Sequence, residues 1–215
     1  MREIAFVGNA PSRGDVRDAV DRADRVVRFN KARGFGGRTG ERVDDLFLVN
    51  CGGQMREWLA TPGFWDAAPV RAARTVSLPI ARGDPGSGLA EVARAGPTPL
   101  DGINFEHDVR RRLRDRPVAV RTMPDALRRA AIEALAAIGS RPAAPIWPST
   151  GFLALFWYDR TEGAEAVFTL HGYGFRGWRG HPWERERLWV AARARSGRMR
   201  FGPSTVAVDR RSDAA

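Results

Sequence analysis

The chain has 215 residues, of which 43% are hydrophobic and 28% charged, the size and balance of one ordinary globular domain; a disordered or collagen-like chain is excluded. Lys and Arg total 35 against 25 Asp and Glu, a net charge of +10. No apolar stretch approaches the ~18 residues of a transmembrane helix, and the single cysteine, Cys51, excludes an intrachain disulfide and a Cys-rich zinc site. The opening MREIAFVGNAP carries only a short apolar run rather than a secretory pattern, so the expected location is the cytoplasm, with no integral membrane segment. Lys31 is the only lysine, and the arginines are mixed with acids along the chain, as in Arg17-Asp18 and Arg185-Glu186-Arg187. Arginine and alanine at the expense of lysine is what a GC-rich coding sequence produces. The positive charge is therefore assigned to a solvated surface or an anionic small ligand, and no nucleic-acid partner is expected.

Ile4-Ala5-Phe6-Val7 is an apolar run ended by Gly8-Asn9-Ala10-Pro11 and reads as a buried strand and turn. Asp15 to Ala23 has helical spacing at Val16, Ala19 and Val20, with Asp15 as the N-cap. Arg25 to Phe29 is a second strand, Gly34 to Gly40 a glycine loop, and Asp45 to Val49 a third strand. Thr75 to Leu78 reads as a strand and Pro79 to Gly102 as a loop. Asp108 to Asp115 reads as a short arginine-rich helix or turn with a solvated face. Asp125 to Ile138 is an amphipathic helix with Leu127, Ala131 and Leu135 four apart. Arg141 to Pro148 holds three prolines and is extended, Phe152 to Tyr158 is a buried helix, and Ala166 to Leu170 is a strand. The alternation predicts an α/β fold: a single domain over residues 1–205 with an open, mostly parallel, Rossmann-like sheet and flanking helices, followed by a disordered tail over 206–215.

Four places carry chemistry. Val7-Gly8-Asn9-Ala10-Pro11-Ser12 ends a strand where ligands of parallel sheets bind, with Gly8 for close approach and Asn9 as donor and acceptor; a plain βα turn uses the same residues. It is not a dinucleotide fingerprint, because the second and third glycines are missing. Asn30 ends the second strand and is placed beside Asn9, where two amides can grip one polar ligand or simply end a strand. Pro148-Ser149-Thr150-Gly151 precedes the apolar helix, as an anion site or an N-cap. His181 follows a Gly/Trp/Arg loop and precedes a helix, as a general base or a structural histidine, without the partners a metal site needs.

Taken in order, these segments resemble the motifs of the sialyltransferases of glycosyltransferase family 29, or a short bacterial relative. Val7-Gly8-Asn9 with Asp24-Arg25-Val26-Val27-Arg28-Phe29-Asn30, continued by Thr39 to Asp44, is similar to the long sialylmotif. Pro148 to Leu155 with Leu170-His171-Gly172-Tyr173 is similar to the short one, and His181 with Glu186 to the very short one. Gly8 to Ser12 also resembles the bacterial family 42 sialyltransferases. The resemblance spans residues 4 to 189. The family's separate third motif has no match, since only Gly174 to Gly180 lies before His181, and the paired cysteines of the animal enzymes are absent.

The resemblance implies a GT-A-type fold and an inverting, metal-independent glycosyltransferase. It would move sialic acid or a related 2-keto acid sugar from a CMP donor to a hydroxyl of a glycan or small-molecule acceptor. It implies no cofactor beyond the donor. Gly8, Asn9, Ala10 and Asn30 would hold CMP. Ser149, Thr150 and Gly151 would hold nucleotide and sugar carboxylate, and His181 would be the base. His171, Gly172, Tyr173, Arg176 and Arg179 are nearest for the leaving phosphate, with an arginine favoured for its fork of donors. The competing expectation is a nucleotide-binding accessory protein that keeps the fold without turnover.

Overall fold

The computed structural model describes residues 1–11, 14–81, 103–140 and 145–202. Seven strands, β1 (Arg2–Val7), β2 (Arg25–Phe29), β3 (Asp45–Phe47), β4 (Thr75–Leu78), β5 (Ala119–Thr122), β6 (Ala166–His171) and β7 (Met199–Phe201), form one sheet in the order β5-β4-β3-β2-β1-β6-β7. Every pairing is parallel, so the sheet is open and wholly parallel. The chain winds outward from β1 to β5 and then returns to the other side of β1. The switch in direction falls between β1 and β6, and the crevice above such a switch is where open α/β sheets bind ligands.

Eight helices among the described residues cover the two faces. On one face lie α1 (Arg17–Arg22), α2 (Gly52–Ala60), α3 (Pro62–Trp65), α4 (Ala68–Ala72) and α5 (Glu106–Leu113). Val16 and Val20 pack there against Ala5, Val7 and Val26, and Met55, Trp58 and Val109 against Leu46, Leu48 and Val76. On the other lie α6 (Asp125–Ala136), α7 (Thr150–Thr161) and α8 (Trp183–Arg195), whose Leu135, Phe152, Phe156 and Trp189 meet Ile4, Phe6, Phe29, Phe47 and Phe168. The inner strands are largely apolar on both faces because each face is covered, with Arg28, Asp45 and Ser77 as buried polar exceptions.

The first, second, fourth and sixth strands and the buried helix from the apolar run fall where the sequence places them; β3 ends two residues early, at Phe47. Some expectations change. The first helix starts at Arg17 with Val16 at the N-cap, while Asp15 accepts from the Arg17 backbone N–H at 3.1 Å without capping. The arginine-rich segment is the helix α5, and its Val109 and Leu113, four apart, are buried rather than solvated. Helices α2 to α4 and strand β5 had no signal: α2 opens on two glycines, poor helix formers, and β5 is a four-residue, part-exposed edge. Much of the expected Pro79–Gly102 loop, half of Arg141–Pro148 and the whole 206–215 tail lie outside the described residues. No helix among the described residues is long and apolar enough to cross a membrane.

Candidate active site

A cavity of about 870 Å³ opens above the carboxyl ends of β1, β2, β3, β4 and β6, within the ~300–1,000 Å³ usual for small-molecule sites. Its wall includes Gly8, Asn9, Ala10 and Asn30 from the first two strand ends, Ser149, Thr150 and Gly151 from the start of α7, and Gly172, Tyr173, Arg176 and His181 from the segment after β6. The fold thus brings together eleven of the thirteen expected residues, from four separate stretches of chain.

The strand ends are fixed by their own side chains. Asn9 Nδ2 donates to the Phe29 carbonyl at 3.0 Å and Asn9 Oδ1 accepts from the Arg33 N–H at 2.8 Å, tying β1 to β2. Asn30 Oδ1 accepts from the Val49 N–H at 2.9 Å, tying β2 to the segment after β3, and Asn30 takes the left-handed backbone (φ 54°) that asparagine tolerates. Asn9 does lie beside the end of β2 as expected, but both amides serve the frame through their oxygens, and Asn9 through one N–H as well. Gly8 is likewise set by the fold. A Cβ there would stand 2.4 Å from the Gly172 carbonyl oxygen, because Gly8 N donates to His171 O and Ala10 N to Gly172 O where β1 and β6 part. The close approach read at Gly8 is to neighbouring backbone.

Ser149 is the N-cap of α7, its Oγ accepting from the Phe152 N–H at 3.1 Å. The same hydroxyl donates to Glu186 Oε2, and the Ser149 N–H to Glu186 Oε1, both at 2.7 Å. Ser149 is therefore committed to the frame, while Thr150 and Gly151 present first-turn N–H groups that have no partner within the helix. Glu186 is 2% exposed, and burial pushes its carboxyl up to about 7 even though both bonds from Ser149 pull it down.

His181 Nδ1 lies 2.8 Å from the Trp147 carbonyl oxygen. A carbonyl only accepts, so Nδ1 carries the proton and Nε2 keeps its lone pair. Burial lowers the imidazole pKa, with the Trp147 bond opposing, so the ring is neutral near neutrality. Trp178 and Trp183 flank it edge-on, with centroids at 4.9 and 5.0 Å. His181 and Glu186, on one stretch, thus hold Trp147 and Ser149 on the other. Tyr173 lies at the centre. It is 9% exposed, its hydroxyl has no hydrogen-bond partner among the described residues, and burial raises its pKa well above the usual phenol value, so it is a neutral donor. The hydroxyl stands 3.6 Å from where a Cβ of Gly151 would be.

Two expected residues are elsewhere. Phe168 and Leu170 of β6 face the larger core, so strand alternation turns His171 to the opposite side, where its ring meets Gly202 instead of the cavity. Arg179 is exposed and outside the cavity wall, whereas Arg176 is in it. The wall also holds residues outside the expected set, and the most unusual of them is Arg128 of α6, 2% exposed. Its signal was present, since Arg128, Ala131 and Leu135 share one stripe of an amphipathic helix, and a cation on an apolar stripe is out of place. Among the described residues, no cluster of three or more His, Cys, Asp or Glu could hold a metal ion.

Solved structures share this fold. A mammalian sialyltransferase matches with a TM-score of 0.55 at 15% identity, over 94% of this chain and 68% of that one. A mammalian sialyltransferase in complex with Gal-beta-1-3GalNAc-ortho-nitrophenol gives 0.54 at 16%, over 94% and 69%. The alpha-2,3-sialyltransferase from Campylobacter jejuni gives 0.53 at 13%, over 97% and 76%. The fold is that of the GT-A-like sialyltransferases.

No family model matches the chain. In sequence it is 30% identical over 207 residues to the urease operon 23 kDa accessory protein of Rhizobium meliloti (strain 1021), covering 93% of this chain and 92% of that protein. The chain belongs to the family of that accessory protein. The resemblance read from the motifs therefore holds for the fold, while the sequence relation is to a protein named for a different role.

Proposed function

We propose that the chain is an inverting, metal-independent glycosyltransferase that uses a CMP-activated 2-keto acid sugar. The observation that supports this best is the neutral imidazole of His181, held by the Trp147 carbonyl in the wall of the cavity at the β1/β6 switch. An acceptor hydroxyl gives its proton to His181 Nε2 as its oxygen forms a bond to the anomeric carbon. The bond from that carbon to the phosphate oxygen breaks with its electron pair, and CMP leaves. Charge grows on the leaving phosphate, and donors already aimed at it lower the barrier. Tyr173, the Thr150 and Gly151 N–H groups and Arg176 supply them; the favoured arginine is thus Arg176, and the neutral Tyr173 hydroxyl stands with it. A glycan acceptor is consistent with the like-folded mammalian enzyme that carries a Gal-beta-1-3GalNAc derivative.

The family relation favours a second reading, an accessory protein that binds the nucleotide without turnover. Pure protein with CMP-sialic acid and a chelator separates them. CMP release unaffected by chelation is expected. CMP bound but never released moves the accessory reading ahead, and activity lost to chelation and restored by Mn²⁺ refutes metal independence.

Tyr173→Phe is expected to act in opposite directions on stability and binding. A buried hydroxyl without a partner costs about 1–3 kcal/mol, so the free variant should melt at or above the wild-type temperature, while CMP binds about tenfold more weakly. A variant that loses stability and keeps CMP affinity would show that the hydroxyl serves the fold alone.

A further inference from the structure

The cavity extends well beyond the β1/β6 switch. Its other end lies above β3 and β4, where Cys51, Gly52, Gly53 and Gln54 at the start of α2, Ile80 after β4, and Arg128 of α6 form the wall. β3 stands two strands from β1, so this end is about 10 Å from the Gly8 end at the usual inter-strand spacing. The helix α6 begins just beyond β5, where the Met123 N–H donates to the Leu78 carbonyl at the end of β4, and this puts Arg128, in its first turn, at this end.

Among the described residues three arginines line the cavity, and they differ. Arg33 and Arg176 are exposed at its rim, whereas Arg128 is 2% exposed. Burying a cation is costly, and burial alone depresses the Arg128 pKa. The other buried arginine, Arg28, lies outside the cavity wall and is taken up by the Arg42, Thr39 and Gly40 carbonyls and the Thr39 hydroxyl, a purely architectural use. Arg128 also interacts within the protein, but a guanidinium has five N–H donors in a planar fork and can serve a wall and a ligand together. Glu186 is the only carboxylate in the described wall, and it belongs to the Ser149 end. A buried fork in a wall whose charged side chains are three arginines and one glutamate suits an oxyanion.

We propose that the end of the cavity at Arg128 is a second anion subsite, which takes a phosphate or carboxylate group of the acceptor, so that the acceptor is itself an anionic molecule. This rests on the reading of the β1/β6 end as the donor end. In a CMP-linked 2-keto acid sugar the carboxylate and the phosphate are both attached at the anomeric carbon. Neither reaches a subsite about two strand spacings away while the other stays at the Gly8 end, where Tyr173 lies against both Gly8 and Gly151 of α7. The charge held by Arg128 therefore belongs to a second molecule.

Titrating inorganic phosphate calorimetrically into CMP-saturated protein tests this. Phosphate should bind one to one with CMP in place. Arg128→Gln and Arg128→Ala should weaken phosphate at least about tenfold, the scale of one lost charge-assisted bond, and leave CMP affinity unchanged. Arg128→Lys, which keeps the charge and is expected to fold if the others do not, should weaken it severalfold for want of the fork. Phosphate displaced by CMP, phosphate affinity unchanged in the variants, or CMP affinity falling in step overturns the subsite. Wild-type protein that binds no CMP refutes the donor reading instead, and phosphate titration of the free protein still decides whether Arg128 holds an anion.

Discussion

Replacing His181 by alanine is expected to lower CMP-sugar turnover by about 10²–10⁴-fold, the usual contribution of a positioned general base. CMP affinity should stay within about twofold, because the imidazole acts on the acceptor proton in the transition state and not on the nucleotide. The physical basis is the tautomer. With Nδ1–H held by the Trp147 carbonyl, Nε2 is the free lone pair, and burial keeps the ring unprotonated where it must accept. His181→Gln should not rescue, since an amide offers no comparable basicity. Single-turnover CMP release with parallel calorimetry reads both quantities. Full turnover in His181→Ala would remove the catalytic half of the proposed function and leave the accessory reading in front.

Glu186 should make the folded chain lose stability as pH rises from about 4.5 to about 7, and Glu186→Gln should abolish that loss. Burial raises the carboxyl from 4.5 to about 7. Between those values the folded chain retains a proton that the unfolded chain has released, so stability falls with pH. Over the whole window the fall amounts to about 3 kcal/mol, from a shift of 4.5 to about 7 at 1.36 kcal/mol per pKa unit, and stability is level above it. His171 and His181 act the other way. Burial lowers both, so below the ordinary histidine value the unfolded chain holds the extra protons and stability rises with pH. The difference between wild type and Glu186→Gln isolates the carboxyl. Glutamine can still accept from the Ser149 N–H, so the frame should survive. Urea unfolding of both proteins from about pH 5 to pH 8 should show the gap closing toward low pH. A constant gap would mean that Glu186 titrates as it does in the unfolded chain.

The two residues also show why part of the site was readable and part was not. His181 stood out because a histidine after a Gly/Trp/Arg loop and before a helix is a local pattern. Its partner, the Trp147 carbonyl, leaves no mark in sequence, since any residue has a carbonyl. Glu186 entered only as the end of a motif. That it clamps Ser149 from 37 residues away, through two bonds, is a matter of where α8 crosses the start of α7. Asn9 and Asn30 leave both a ligand grip and a strand-end turn open in sequence, because an amide at a strand end looks the same whether it faces a ligand or a neighbouring backbone.

Local signals along the chain are enough to place the opening strands, the strands at Thr75 and Ala166, the buried helix after Pro148 and the order of the motifs. Each rests on a short-range signal: an apolar run ended by a turn, a 3.6-residue stripe, a proline stop. Which of those residues meet depends on the packing of the folded chain. That packing sets β6 beside β1, which makes Gly8 a glycine. It turns His171 to the far face by strand alternation, leaves Arg179 outside the wall and brings Arg128 of α6 into it. Local periodicity fixes which face of an element is buried. What lies against that face depends on pairings between residues far apart in the chain, which no window of sequence contains.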